Sequence, residues 1–248
     1  MEQHTSHRIP IMTRLRKIPY TLWGWAVFWT IALTTSLVIV VLPGVERCSR
    51  LARRASRVIF RLGGAWPRVH GLENLPAEPC VVAANHESFA DGILLCALLP
   101  PGFRLVIKRE MRSVPLAGRM LSRIGAVFVE REQGKERIAD VRTVLRAARS
   151  GQSLAIFPEG TFRPEPGLLP FRPGAFAAAA AGGLPVVPVA IRGCRRLLPS
   201  GSWLFTPSGI EVRFLDPISV TGTGSRSQKA ERLAQECRKA MKAALAQD

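Results

Sequence analysis

Residues 80–92 read Cys80-Val81-Val82-Ala83-Ala84-Asn85-His86-Glu87-Ser88-Phe89-Ala90-Asp91-Gly92. The first five are apolar and stop abruptly at polar residues, the pattern of a short strand buried on both faces. After the polar turn, Asp91 to Leu99 has helical apolar spacing and ends at Pro100-Pro101. Strand, polar turn and helix make the unit from which parallel sheets are built. Polar residues at the carboxyl end of such a strand occupy the usual ligand position of an α/β sheet.

The same alternation continues outward. Phe103–Ile107, Ala126–Val129, Leu154–Phe157, Val186–Ile191 and Ile210–Leu215 are short apolar runs and read as strands. Between them, Pro115–Ile124 reads as a short helix with Pro in its first turn. Ile138, Val141, Val144, Leu145 and Ala148 form one helical face that stops at Gly151. Ala175–Ala181 suits a close-packed helix. A last helix starts near Ser225, with Leu233, Cys237, Ala240 and Ala244 on one face. The predicted fold is α/β, a mixed, largely parallel sheet flanked by helices.

Toward the N-terminus the composition changes. Leu22–Leu42 carries no charge and is long enough, at about 20 residues, to cross a bilayer as a helix. Trp23, Trp25 and Trp29 crowd its first half, as in an interfacial aromatic belt. The run is long for a signal peptide and has no A-x-A-like site, so it is expected to be a retained membrane-anchoring helix, spanning or re-entrant. Arg47 to Leu62 reads as a basic amphipathic helix on anionic headgroups, or else as a solvated linker helix. The denser positive charge on this C-terminal flank places the main domain on the cytosolic side of the inner (cytoplasmic) membrane.

Thirty-five basic residues against 18 acidic give a formal net charge of +17, which calls for a polyanionic partner. Aromatic residues are only 7% of the chain, so base stacking is not the expected use of that charge, and membrane lipid is favoured over nucleic acid. The cysteines Cys48, Cys80, Cys96, Cys194 and Cys237 are odd in number and contain no C-x-x-C pair, which disfavours a disulfide framework or a zinc site. The four histidines are scattered and no H-E-x-x-H helix exists, so no metal is expected.

His86 and Asp91 are five residues apart, roughly 500° of rotation on a regular helix, so they would not share a helical face. They can pair only if His86 lies on the turn and Asp91 in the first turns of the helix. Asp91 would then hold one ring nitrogen and leave the other to take a proton. The alternative is an ordinary helix N-terminus, capped by Asn85 or Ser88 and favoured by the charge of Asp91. A second cluster, Pro158-Glu159-Gly160-Thr161-Phe162-Arg163, follows the strand Leu154–Phe157, and a third, Phe171-Arg172-Pro173-Gly174, lies shortly after. Arg131, Arg163 and Arg172 could converge on a phosphate, or simply contribute to a basic surface.

N-H-E-S-F-A-D at 85–91, G-A-V-F-V-E-R at 125–131, F-P-E-G-T at 157–161 and L-P-V-V-P-V-A-I at 184–191 occur in that order. Together they resemble the glycerolipid acyltransferase family typified by 1-acylglycerol-3-phosphate acyltransferase. The resemblance covers about residues 65–220. It implies that His86 is the general base for the acceptor hydroxyl and that Asp91 orients and charge-balances it. It also implies attack on an acyl-CoA or acyl carrier protein thioester, without an acyl-enzyme and without a further cofactor. Glu159, Gly160 and Thr161 would hold the acceptor, Arg131 would help bind its phosphate, and Val186–Ile191 would line the acyl-binding region; Arg163 and Arg172 are counted as substrate-binding candidates on their chemistry. Lys108, Pro115 and Gly118 resemble further elements of the second motif.

Two positions depart from the family's pattern: Phe162 stands where Arg often follows E-G-T, and Arg172 where Lys is common. Lysophospholipids and lyso-ornithine lipid therefore stay open as acceptors beside lysophosphatidic acid. Two other classes of reading explain less. A non-enzymatic basic protein of the membrane surface gives no reason for His86, Asp91 and Glu159 at strand ends. A serine hydrolase using Ser88 lacks the G-x-S-x-G elbow. The expected organisation is a basic segment over 1–21, a membrane anchor over 22–45, a basic amphipathic helix over 46–64 and an acyltransferase domain over 65–248.

Overall fold

The computed structural model describes residues 11–129, 144, 146 and 152–246. Seven strands form one sheet: β1 (Arg68–His70), β2 (Val81–Ala84), β3 (Arg104–Lys108), β4 (Val127–Val129), β5 (Leu154–Ile156), β6 (Val186–Arg192) and β7 (Glu211–Phe214). Their spatial order is β1-β7-β6-β2-β5-β3-β4. Every neighbouring pair is parallel except β6 and β7. The sheet is therefore mixed and largely parallel, as expected, with β2 between β6 and β5. Helices α1 (Ile11–Val41), α2 (Val45–Leu62), α3 (Ala90–Leu98), α4 (Ala117–Arg123), α5 (Pro173–Gly182), α6 (Cys194–Leu197) and α7 (Arg226–Ala246), with two 3-10 turns at Leu72–Asn74 and Arg109–Arg112, complete the described elements.

The period of two along β2 divides the core. Val82 and Ala84 belong to a cluster with Phe60 of α2 and Leu94 and Leu95 of α3. Val81 and Ala83 belong to a second, with Phe176 of α5 and Leu233, Cys237 and Met241 of α7. All four β2 residues are buried, which is why the strand reads as an unbroken apolar run. The Ala-rich sequence of α5 permits close approach to α7, and Ala178 and Ala179 are buried there.

The first long helix starts earlier than its uncharged run, at Ile11, and continues through Pro19. Lys17–Val41 is long and apolar enough to cross a membrane by length and composition. Leu22, Trp29, Leu33, Leu37, Val38 and Val41 are exposed on it. Its other edge is docked. The Tyr20 hydroxyl donates to Gly63 O at 2.7 Å, Trp23 Nε1 to Leu62 O at 2.9 Å and Trp25 Nε1 to Trp203 O at 2.8 Å. Two of the three tryptophans thus spend their indole donors on the protein. Arg123 of α4 donates to Ile39 O and Leu42 O, placing a cation at the carbonyl end of α1.

The amphipathic pattern of α2 has an internal explanation. Cys48, Ala52 and Phe60 are buried, and α2 packs on both α1 and α3. Arg53 and Arg57 point inward, donating to Pro100 O at 2.6 Å and Ala97 O at 2.8 Å, at the carbonyl end of α3. Arg47, Arg50, Arg54 and Arg61 are exposed. The buried part of the apolar stripe therefore serves protein packing, while Val45, Val58 and Leu62 stay exposed together with the basic edge.

Other differences are local. Strand β1 has three residues, too few to show a period, and exists by pairing with β7. Helix α6 is a single short turn after Gly193, whose φ of +89° suits glycine. Helix α4 begins after Leu116, at φ +59°, so Pro115 precedes the helix instead of lying in its first turn. Arg131 and most of the helical face expected over 138–148 lie outside the described residues. Within that face, Val144 is helical and packs against the α5–α7 core.

Candidate active site

Strand pairing brings three loops together. Ala83 of β2 pairs with Ile156 of β5, and Ala84 with Val189 of β6. The chain therefore leaves the sheet at neighbouring points into the His86 turn, the Phe157–Arg163 loop and the Gly193–Leu198 segment. Asn85 ties the first of these to the third. Its Nδ2 donates to Ile191 O at 2.9 Å, and its Oδ1 accepts from Ile191 N at 2.6 Å. Asn85 is not the helix cap: its buried amide is committed to β6.

His86 lies on the turn and Asp91 is the second residue of α3. Their separation is 2.9 Å, Nδ1 to Oδ2. The same oxygen accepts the backbone N–H groups of Glu87 at 2.6 Å and Ser88 at 2.8 Å. An oxygen that accepts from two amides acts as an acceptor for the ring as well, so Nδ1 carries the proton and Nε2 is the basic nitrogen. Asp91 thus closes the helix N-terminus and holds the imidazole at once, and the two readings of its position are compatible. Asp91 is fully buried, while His86 keeps 14% of its side chain exposed. The Cys194 thiol faces Asp91 from α6; burial, and then the charge of Asp91, keep it well above the usual thiol range.

Glu159 braces this turn from β5. Its Oε1 accepts the His86 backbone N–H at 2.8 Å and its Oε2 that of Leu169 at 2.7 Å. Burial raises its pKa, and the two amides pull it back down. The next residue, Gly160, has φ +77°, and a Cβ there would lie 2.8 Å from Arg172 Nε. Glycine is needed both for that backbone and for the Arg172 side chain to lie across it. Thr161 is exposed, and Arg163 is half-exposed, 4.0 Å from Glu165.

Aromatic rings enclose the imidazole. Phe157 stacks on it at 4.1 Å between centroids, and Phe162 meets it edge-on at 4.5 Å. Phe89, 71% exposed, lies edge-on to Phe162 at 4.8 Å. Beside them opens a cavity of about 580 Å³, mostly apolar, that runs between α1, α2, α3, β3 and α4. His86, Thr161 and Phe162 line one part of it, and Ala32, Ala52, Ile93, Leu105 and Met120 line others. Val186–Ile191 does not line this cavity: six of the seven β6 residues are buried within the sheet. On another side of His86, a polar pocket of about 220 Å³ is lined by Asn85, Glu87, Glu159 and Arg192.

The structure therefore brings together His86, Asp91, Glu159, Gly160, Thr161 and Arg172, with Arg163 farther out along the same loop. The ring contacts of Phe157 and Phe162 were not anticipated, although both residues flank the quoted P-E-G-T. Ser88 is buried, its hydroxyl donating to Leu198 O at 2.8 Å and accepting from Ala90 N at 3.3 Å. A basic nitrogen backed by a buried carboxylate, at the mouth of an apolar cavity, can take a proton from a hydroxyl delivered on a lipid-like molecule.

The bridge from Asn85 to Ile191 makes a direct prediction. Asn85→Ala strands a buried N–H and a buried carbonyl, at about 1–3 kcal/mol each. Thermal unfolding of the variant should begin well below that of the parent chain, and an unchanged midpoint would show that water replaces the amide.

Residues 67–192, half of the chain, match the Acyltransferase family. A 1-acyl-sn-glycerol-3-phosphate acyltransferase of Pseudomonas aeruginosa is 30% identical over 184 residues, 74% of this chain and 70% of that one. A chloroplastic enzyme of the same name from Brassica napus is 31% identical over 208 residues, 78% of this chain and 58% of that one. A lyso-ornithine lipid O-acyltransferase of Pseudomonas aeruginosa is 37% identical over 153 residues, 60% of this chain and 57% of that one. The chain spans little more than half the length of several such curated relatives. The fold is that of the crystallised 1-acyl-sn-glycerophosphate acyltransferase of Thermotoga maritima, with a TM-score of 0.74 at 22% identity over 94% of this chain and 98% of that one. With the matched segment running from just before β1 to the end of β6 and containing His86, Asp91 and Glu159, the chain belongs to the acyltransferase family.

Proposed function

We infer that the protein transfers a fatty acyl group from an acyl thioester to the free hydroxyl of 1-acylglycerol-3-phosphate, forming phosphatidic acid. One observation carries the reading: His86, with Nδ1 held by buried Asp91, borders a large apolar cavity. The acceptor O–H gives its proton to Nε2 as its oxygen attacks the thioester carbonyl. Asp91 stabilises the imidazolium that forms. The tetrahedral centre then expels the thiolate, the C–S bond breaks, and the imidazolium returns the proton to sulfur. No protein nucleophile is required, in keeping with the commitment of the Ser88 hydroxyl to backbone partners. Acyl-CoA or acyl carrier protein serves as donor, and the apolar cavity receives an acyl chain.

Thr161 is placed to meet the acceptor, with Gly160 giving the loop its shape and Glu159 bracing it. Arg163, Arg172 and Arg131 are the cations assigned to the acceptor phosphate. The exposed apolar face of α1 anchors the enzyme to the membrane, with the domain on the cytosolic side, and the basic edge of α2 lies toward anionic headgroups. A second acceptor, lyso-ornithine lipid, is favoured by a specific feature. Phe162, an apolar ring against His86, follows Glu159-Gly160-Thr161 where a cation would favour a phosphate monoester. The 37% identical relative carries that acceptor in its name.

The test is purified protein with a panel of lysolipid acceptors and both donor types. Turnover of 1-acylglycerol-3-phosphate above the other acceptors is expected, and turnover of lyso-ornithine lipid alone selects the second reading. His86→Ala should lower turnover about 10²–10⁴-fold while melting behaviour stays that of the parent. Near-normal turnover of that variant removes the mechanism. Membranes washed in high salt should retain the protein, because burial of apolar side chains is not screened by salt. Release by salt alone assigns attachment to the basic surface instead of α1.

A further inference from the structure

Arg195, on α6, belongs to none of the four sequence clusters, yet it joins two of the loops around His86. Its Nη1 donates to Pro164 O at 2.8 Å, to Arg163 O at 3.3 Å and to Glu165 O. Its Nη2 lies 3.9 Å from Glu87 Oε1. Both side chains are about four-fifths covered, at 21% and 19% exposure. One guanidinium therefore grips three successive carbonyls of the segment after Thr161-Phe162 and faces the carboxylate next to His86. Thr161 and Phe162 line the cavity beside the imidazole, so the segment that Arg195 holds is the lip of the site.

We propose that Arg195 is a positioning residue: it clamps the 161–165 lip to the His86 turn in the geometry that binds the acceptor, and Glu87 sets the strength of the clamp. This rests on the reading of His86 as the base. A fork with five donors suits the task, since a lysine ammonium cannot span three carbonyls and a carboxylate together. The charged groups facing Glu87 are Arg195 from α6, and Asp91 from α3 and Glu159 from the loop after β5; Arg192 of β6 lines the same polar pocket. Burial, with the charges of Asp91 and Glu159, raises the Glu87 pKa to about 7 against the pull of Arg195. Above that pH Glu87 is a carboxylate and pairs with Arg195. As the pH falls through about 7 it takes a proton, and that part of the clamp is lost.

Acceptor and donor KM and kcat are measured on the full chain in mixed micelles, from pH 6 to 8, for the parent, Arg195→Met, Arg195→Lys and Glu87→Gln. Arg195→Met should raise the acceptor KM about tenfold and leave donor KM nearly unchanged, and Arg195→Lys should fall between it and the parent. In the parent, acceptor KM should rise roughly threefold on acidification relative to Glu87→Gln, which should hold the low-pH value throughout. Loss of kcat without change in acceptor KM overturns the proposal, as does a parent-like acceptor KM in Arg195→Met. If Arg195→Met fails to fold, the isosteric Glu87→Gln still decides: a pH response equal to the parent's overturns the clamp. His86→Ala is assayed alongside. Near-normal turnover there removes the underlying reading, whereas an inactive His86→Ala beside a parent-like Arg195→Met removes this inference alone.

Discussion

A carboxylate buried away from water costs several kcal/mol unless donors surround it, and Asp91 is fully buried. Its Oδ2 collects the two amides of the turn and the ring N–H of His86. Those donors can reach one oxygen only if residues 86–88 bend back over the first turn of α3. The demand of one buried charge therefore fixes the turn, closes the helix N-terminus and sets the ring orientation together. Glu159 repeats the device one strand away, with its two oxygens holding the amides of His86 and Leu169.

The parallel sheet supplies the rest. Because β2 lies between β5 and β6, the loops leaving three strands in one direction become neighbours without any long excursion of the chain. Asn85 and Arg195 then join those loops by side chain, the first to β6 and the second between α6, the 163–165 segment and the His86 turn. The apolar cavity arises on one side of this junction because α1 and α2 do not fill the space over α3, β3 and α4. The polar junction and the apolar cavity thus meet at a single side chain, His86.

Much of this arrangement could be read from the sequence. The central strands are buried on both faces and so announce themselves as apolar runs, while strand-turn-helix geometry permits the pairing of His86 with Asp91 and the family resemblance implies it. What escaped depends on partners distant in sequence. Strand β1 is three residues long and exists through β7. The stripe on α2 looks alike whether it meets lipid or protein, and only packing shows that Cys48 and Phe60 are buried against the chain's own helices and core. Val186–Ile191 reads as a strand and is one, but that it stands inside the sheet and away from the apolar cavity depends on its neighbours β2 and β7. Arg195 is one among 35 basic residues, and nothing local distinguishes a cation that grips carbonyls 30 residues away.

The central claim is that His86 and Asp91 act as one base. A double-mutant cycle measures it most directly: kcat/KM for the parent, His86→Ala, Asp91→Asn and the double variant. Asp91 works through the imidazole that it holds, so removing it after His86 should cost almost nothing, and the double variant should match His86→Ala. Losses that multiply across the two single variants would show that each residue acts separately, and would contradict the pair.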